Sequence, residues 1–426
     1  MNSLPRSPSI DALSGTSQAA KQASRHRWYV VKEGFSPALV ETAIEYEGCE
    51  RGDIVLDPFA GSGTVPVVAG LKGIESMSFE NNPFLAFAAR VKCSNPRAKE
   101  LREGMIIVDS GITASMDSPL RAYSTFCRTG DVRGLFNEDV LLGVAGGMNA
   151  SSAMMPPVRD AARLALLSAA MECCNATRDG KALRYRDSLL NANYTRDDLK
   201  EAFRRNMDRI ISDVGNKITE IPRIRRADVR REFHRLSRPF KLCVTSPPYL
   251  NSFDYSDVYR PELFLGGFVK DNSQLRKIRL DAVRSHLQAS WRKPRTHDFG
   301  DHFELSWRSL LSHSDNLWDR RIPMMIQAYF EDMSRVFRNL RSRADQGAAV
   351  WLVVSTSAYA GVEVPVDLIL ADVATRAGWK LRDIHVIRHM RSSGQHWRNH
   401  GTKGAKDEAK PPLRESLIIL DNPSKV

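Results

Sequence analysis

Short apolar runs and stretches of helical period alternate along this chain, and their order predicts its architecture. Ile54-Val55-Leu56 is an apolar run ending at Asp57, and it reads as a strand. Val65 to Leu71 reads as a helix closed by Gly73, and Ile74 to Phe79 as a second strand ending at Glu80. Strand, glycine-bearing loop, helix and strand make the unit from which doubly wound parallel sheets are built. Further strands are expected at Ile224 to Asp228, Leu242 to Thr245, Ala348 to Ser355, Leu381 to Ile387 and Ser416 to Leu420. Ala348 to Ser355 is apolar enough to be buried on both faces. Helices are expected at Ala38 to Tyr46, Tyr329 to Leu340 and Asp367 to Ala377.

The pattern changes between about 95 and 220. Ala161 to Cys174 is a nearly all-apolar helical stretch. Thr195 with Asp198 reads as an N-cap box, and Leu199, Phe203, Ile210, Val214 and Ile218 then recur at helical spacing. The fold class is therefore α/β, a doubly wound Rossmann-like sheet carrying a mainly helical insertion. Residues 1–24, rich in Ser, Pro, Ala and Gln, are expected to form a disordered tail.

Composition narrows the class. The chain has 426 residues, 42% hydrophobic and 26% charged, as in globular proteins with a substantial core. A net charge of +12 suits a polyanionic partner. Six cysteines form no CxxC pair, which disfavours a zinc ribbon or a disulfide framework and fits a reducing compartment. The run Ala348 to Val354 is too short to span a bilayer, and the N-terminus has no apolar signal core. A cytoplasmic protein without a membrane partner is expected.

Two strings carry the chemistry. Asp57-Pro58-Phe59-Ala60-Gly61-Ser62-Gly63-Thr64 follows the first strand, and its glycines let the backbone approach a ligand closely. Asp57 and Glu80 end consecutive strands, where ribose hydroxyls are usually held, and a carboxylate there would repel a phosphate. No GxxxxGK[ST] is present to grip one. The second string, Thr245-Ser246-Pro247-Pro248-Tyr249, also follows an apolar strand. Its prolines stiffen the loop and remove two N–H donors, leaving carbonyls, a hydroxyl and an aromatic ring together. That set suits a base turned out of its stack.

These residues resemble the S-adenosylmethionine-dependent amino-methyltransferases of DNA. Asp57 to Thr64 is similar to the family's cofactor motif and Thr245 to Tyr249 to its catalytic motif. The TSPPY form is associated with cytosine N4, whereas adenine N6 enzymes more often carry Asp at the place of Ser246. The resemblance covers roughly residues 28–95 and 224–264, and more loosely 325–421. It implies a cofactor site of Phe35, Asp57, Pro58, Phe59, Ala60, Gly61, Gly63, Thr64, Glu80 and Asp228, with Ser246, Pro247, Pro248 and Tyr249 catalytic. With the pattern along the chain it gives a division into a cofactor-binding half at 25–95, a helical insertion at 96–222 that departs from the family's compact pattern, and a catalytic half at 223–426 with a basic segment at 260–325.

The expected reaction is methyl transfer to the N4 amine of a flipped cytosine in duplex DNA, within a restriction or other defence system and near the nucleoid of a prokaryote. Ser246 and the Pro247 carbonyl would accept from the amine while Tyr249 stacks on the ring. Position supplies much of the rate, and no covalent nucleophile is needed. C5 methylation would need a thiol in a Pro-Cys pair, which the chain lacks, and Cys243 lies inside a strand. Adenine N6 methylation, an RNA substrate and a nucleic-acid-binding module without catalysis remain alternatives. A nicotinamide dehydrogenase has no use for the Ser-Pro-Pro-Tyr loop.

Basic and aromatic residues cluster at Arg223 to Arg238, Arg276 to Arg295 and Arg388 to Arg398. The third, following a strand of the same sheet, is the favoured nucleic-acid contact through Arg388, Arg391, Trp397 and Arg398, together with Asn251 beyond the catalytic loop. His385/His389 and His396/His400 lack acidic or thiol partners, so no metal is expected.

Overall fold

The computed structural model describes residues 18–423, except 129–132, 179–182, 187–192, 232, 234–235, 237 and 391–412. Its central sheet has seven strands. In chain order they are β1 (Ile54–Asp57), β2 (Glu75–Glu80), β3 (Arg223–Arg226), β4 (Phe240–Thr245), β5 (Ala344–Ser355), β6 (Lys380–Met390) and β7 (Leu413–Asp421). Across the sheet they run β6-β7-β5-β4-β1-β2-β3. Pairings from β5 through to β3 are parallel, and β7 is antiparallel to both its neighbours. The sheet is thus doubly wound, with an antiparallel strand wedged beside one edge.

Alternation along the strands explains the layers. Ile54 and Leu56 turn to one face, with Val350 and Leu352, and meet the helices Ile322–Arg341 and Val366–Arg376. Val55, Trp351 and Val353 turn to the other and meet the helices Pro37–Tyr46 and Thr64–Leu71. The run at 348–355 is buried on both faces, as its composition requires. Strand β3 ends at Arg226, two residues earlier than expected, because Asp228 has already turned to accept the Arg230 N–H at 3.0 Å.

Between β2 and β3 the helices Ala98–Ala114, Glu138–Ser151, Val158–Glu172 and Arg196–Asp213 pack around their own core beside Pro83–Lys92. The Thr195 box is formed: Thr195 N–H donates to Asp198 Oδ2 at 2.8 Å, and Asp198 N–H donates back to Oγ1 at 3.4 Å. Order begins before the expected end of the tail. Ala19–Lys21 is a 3-10 turn with Ala20 buried, and Ser24 Oγ accepts from Asn216 Nδ2 at 2.9 Å. One small apolar residue carries that burial, too faint a signal to read beforehand. Residues 1–17 lie outside the described residues.

The segment at 255–325, without a clear pattern in the sequence, holds helices at Tyr255–Val258, Arg260–Leu265, Asn272–Leu280 and Asp301–Ser312. Between the last two a strap without helix or strand runs from 281 to 300. Arg284 fastens it to the helix Ile322–Arg341: Nη2 lies 2.6 Å from Glu331 Oε2 and 2.7 Å from Asp332 Oδ1. Arg230 reaches the same Asp332 at 2.8 Å. Buried charges cost several kcal/mol unless paired, and here each carboxylate has a guanidinium. Among the described residues, no helix is long and apolar enough to cross a membrane.

Candidate active site

Strands β1 and β4 are adjacent and parallel, so the loops leaving their C-terminal ends emerge side by side. There the strand order reverses, the place where doubly wound sheets take ligands. Thr245 Oγ1 donates to Asp57 Oδ1 at 2.7 Å and ties the two loops at their roots. Pro58 to Ser62 and Ser246 to Tyr249 line one open cavity of ≈ 1190 Å³.

The glycine loop is shaped by its own backbone. Gly61 sits at φ +52° with nothing within 4 Å of where a Cβ would stand, so room is left for a ligand. Its N–H donates to Glu80 Oε2 at 2.8 Å, and Asn82 N–H donates to Oε1 at 2.7 Å. Glu80 lines the cavity beside Gly61. Burial, only partly offset by these bonds, pushes its carboxyl up to about 7. Phe35, Pro58, Phe59, Ala60, Thr64 and Asp228 line the same space. Asp228 is held by Arg230, whose Nε and Nη2 each lie 2.9 Å from its oxygens.

Two expected cofactor residues do other work. Asp57 is 1% exposed and is not among the cavity-lining residues; it accepts from Thr245 and from the Phe59 N–H at 3.0 Å. Burial pushes its carboxyl up to about 7. Gly63, at φ +90°, caps the helix Thr64–Leu71, and a Cβ there would lie 2.8 Å from Ala89 Cβ. It permits close packing and does not line the cavity.

On the second loop, Pro247 and Pro248 supply no N–H. The Tyr249 hydroxyl donates to Glu415 Oε1 at 2.7 Å. Burial first, and the Glu415 charge second, hold the Tyr249 phenol well above its ordinary range, so it stays protonated.

The rest of the cavity leaves little signal in the sequence. Tyr255 and Tyr259 close one side, and Ile278, Arg279, Val283 and His286 from the unassigned segment close another. Asn81 Nδ2 ties that wall down by donating to the Ile278 carbonyl at 2.9 Å. The only hint is a density of basic and aromatic residues without periodicity. Asn251 is not a lining residue; its Oδ1 accepts from the Phe253 N–H at 3.2 Å. Arg388 gives its Nε to Glu415 at 2.8 Å, and Arg391, Trp397 and Arg398 lie outside the described residues. In the first basic cluster, Arg223 and Arg238 pair with Glu75 and Arg230 is buried. In the second, Arg276, Lys277, Arg292, Lys293 and Arg295 are exposed, and among the described residues none of the five makes an ion pair.

A family model described as DNA methylase matches residues 13–89, the part that carries β1, the glycine loop and Glu80. Type II methyltransferase M.BsoBI of Geobacillus stearothermophilus is 24% identical over 473 aligned residues, covering 95% of this chain and 87% of its own. Type II methyltransferase M.AvaI of Nostoc sp. (strain PCC 7120 / SAG 25.82 / UTEX 2576) is 25% identical, covering 91% of this chain and 86% of its own. By both comparisons the chain is similar to DNA methyltransferases. The open Gly61 turn beside the Glu80 carboxylate has room for a donor such as S-adenosylmethionine. The rRNA methyltransferase aviRa of Streptomyces viridochromogenes overlays with a TM-score of 0.31 at 10% identity, covering 99% of this chain and 97% of its own. That overlap is too slight to bear on the fold, which rests on strand order and direction.

Proposed function

We propose that this chain is an S-adenosylmethionine-dependent methyltransferase that modifies the exocyclic N4 of cytosine in duplex DNA, as the modification enzyme of a Type II restriction system in the cytoplasm. The supporting observation is the single cavity shared by the glycine loop and the Ser-Pro-Pro-Tyr loop, with Ser at 246. The names of the two relatives support the Type II assignment. Bound at Phe35, Pro58 to Gly61, Glu80 and Asp228, S-adenosylmethionine supplies a methyl group on a positively charged sulfur.

The chain's own residues supply orientation. The Ser246 oxygen and the Pro247 carbonyl accept from the amine and draw it out of conjugation with the ring. Those oxygens also stabilise positive charge growing on nitrogen. Tyr249 stacks on the extruded base, which offsets part of an unstacking cost of about a few kcal/mol. The exposed cations of 276–295 face the phosphates: the same segment walls the cavity, and Arg284 holds it in place.

Nucleoside digestion and mass spectrometry of DNA treated with enzyme and isotopically labelled donor tests this. N4-methylcytosine is expected; N6-methyladenine would overturn the base assignment, and labelling of RNA in preference to DNA the polymer. Ser246→Ala and Tyr249→Ala should each cut turnover about 100-fold, the low end for lost positioned groups, with donor affinity unchanged.

A further inference from the structure

Glu415 is an acid in an apolar strand. It is 2% exposed, and its strand neighbours Leu417 and Ile419 are core residues. An ionised carboxylate there costs several kcal/mol unless its oxygens are satisfied. Its two bonds are informative. Oε2 accepts from Arg388 Nε at 2.8 Å, the residue opposite it on β6. Oε1 accepts from the Tyr249 hydroxyl at 2.7 Å, on a loop 166 residues away. A continuous chain therefore runs from the cavity wall into the sheet: Tyr249 to Glu415, closed by the Arg388 guanidinium.

The direction of the chain matters. A carboxylate only accepts, so the Tyr249 proton must point at Glu415. That bond, closed on its far side by Arg388, fixes the Tyr249 ring at its hydroxyl end.

We propose that Glu415 is a positioning residue of the methyl-transfer site, holding Tyr249 in its stacking orientation. This rests on the base-handling role given above to the Ser-Pro-Pro-Tyr loop. Glu415 touches neither donor nor base; it acts through Tyr249. The test is a double-mutant cycle on the single-turnover rate, with Tyr249→Phe, Glu415→Ala and both together. Tyr249→Phe keeps the ring and removes only the linking hydroxyl. Each single change should slow transfer about 10-fold with donor affinity unchanged, and the pair should be no slower than either alone. Glu415→Gln, which keeps an acceptor and the fold, should recover part of the rate lost in Glu415→Ala. Losses that multiply, a Tyr249→Phe enzyme as fast as the parent, or a Glu415→Gln enzyme no faster than Glu415→Ala would each overturn the proposal. The digests identify the methylated base independently, so an error in the base would leave the cycle readable.

Discussion

The bond from Thr245 to Asp57 permits a prediction whose size depends on pH. Asp57 is buried, and its carboxyl is pushed from 3.8 up to about 7. A raised carboxyl pKa means that the folded protein keeps a proton which the unfolded chain releases. The stability this group contributes is fully present below about pH 4 and is lost as pH rises through about 7. The Thr245 hydroxyl counters that loss, because its bond favours the ionised carboxylate. Thr245→Val keeps the side-chain shape and deletes only this bond, at 2.7 Å, leaving the Phe59 N–H as the remaining donor. A hydrogen bond to a neutral group is worth about 1 kcal/mol, and one to a charged group about 1.5–3 kcal/mol. The variant should therefore lose about 1 kcal/mol at pH 5.5 and about 2–3 kcal/mol at pH 8.5. Urea unfolding of parent and variant at the two pH values reads this directly. An equal loss at both, or a larger one in acid, would refute the reasoning.

Three further outcomes are expected. Arg284→Met leaves Glu331 and Asp332 without their shared guanidinium and should cost about 3 kcal/mol in denaturant unfolding, with Arg230 still holding Asp332. Gly63→Ala places a methyl 2.8 Å from Ala89 Cβ at φ +90°; about 2–4 kcal/mol of strain and overpacking should appear as a lower melting temperature, and donor affinity in calorimetry should fall. Changing Arg292, Lys293 and Arg295 together to Gln should reduce the salt dependence of DNA binding by about 0.9 in log–log slope for each phosphate no longer neutralised, measured by fluorescence anisotropy, while donor binding stays unchanged. An unaltered slope would move the DNA to another face.

Both loops were legible because glycine and proline announce backbone geometry, and an apolar run ending in a polar residue announces a strand end. The strands at 54–57, 240–245 and 344–355 were legible for the same reason. Roles that depend on where a side chain points were less so. Asp57 looks like a ribose acid because it ends a strand, yet burial turns it toward Thr245. Gly63 looks like part of a ligand cradle, but its freedom serves helix packing. The wall at 278–286 has no period, since it is held by Asn81 and by buried ion pairs, neither of which leaves a local pattern. Glu415 stands next to the expected last strand without any local mark of its role, because its partner lies 166 residues earlier in the chain.

The pairing of β1 with β4 also has a consequence for synthesis on the ribosome. The donor loop is made early, but the hydroxyl that anchors Asp57 comes 188 residues later, after the whole helical insertion. A nascent chain halted before β4 carries the glycine turn without the neighbouring strand that braces it. The two halves of the pocket can be assembled only when translation is more than half complete, so a release that is too early yields no partial enzyme.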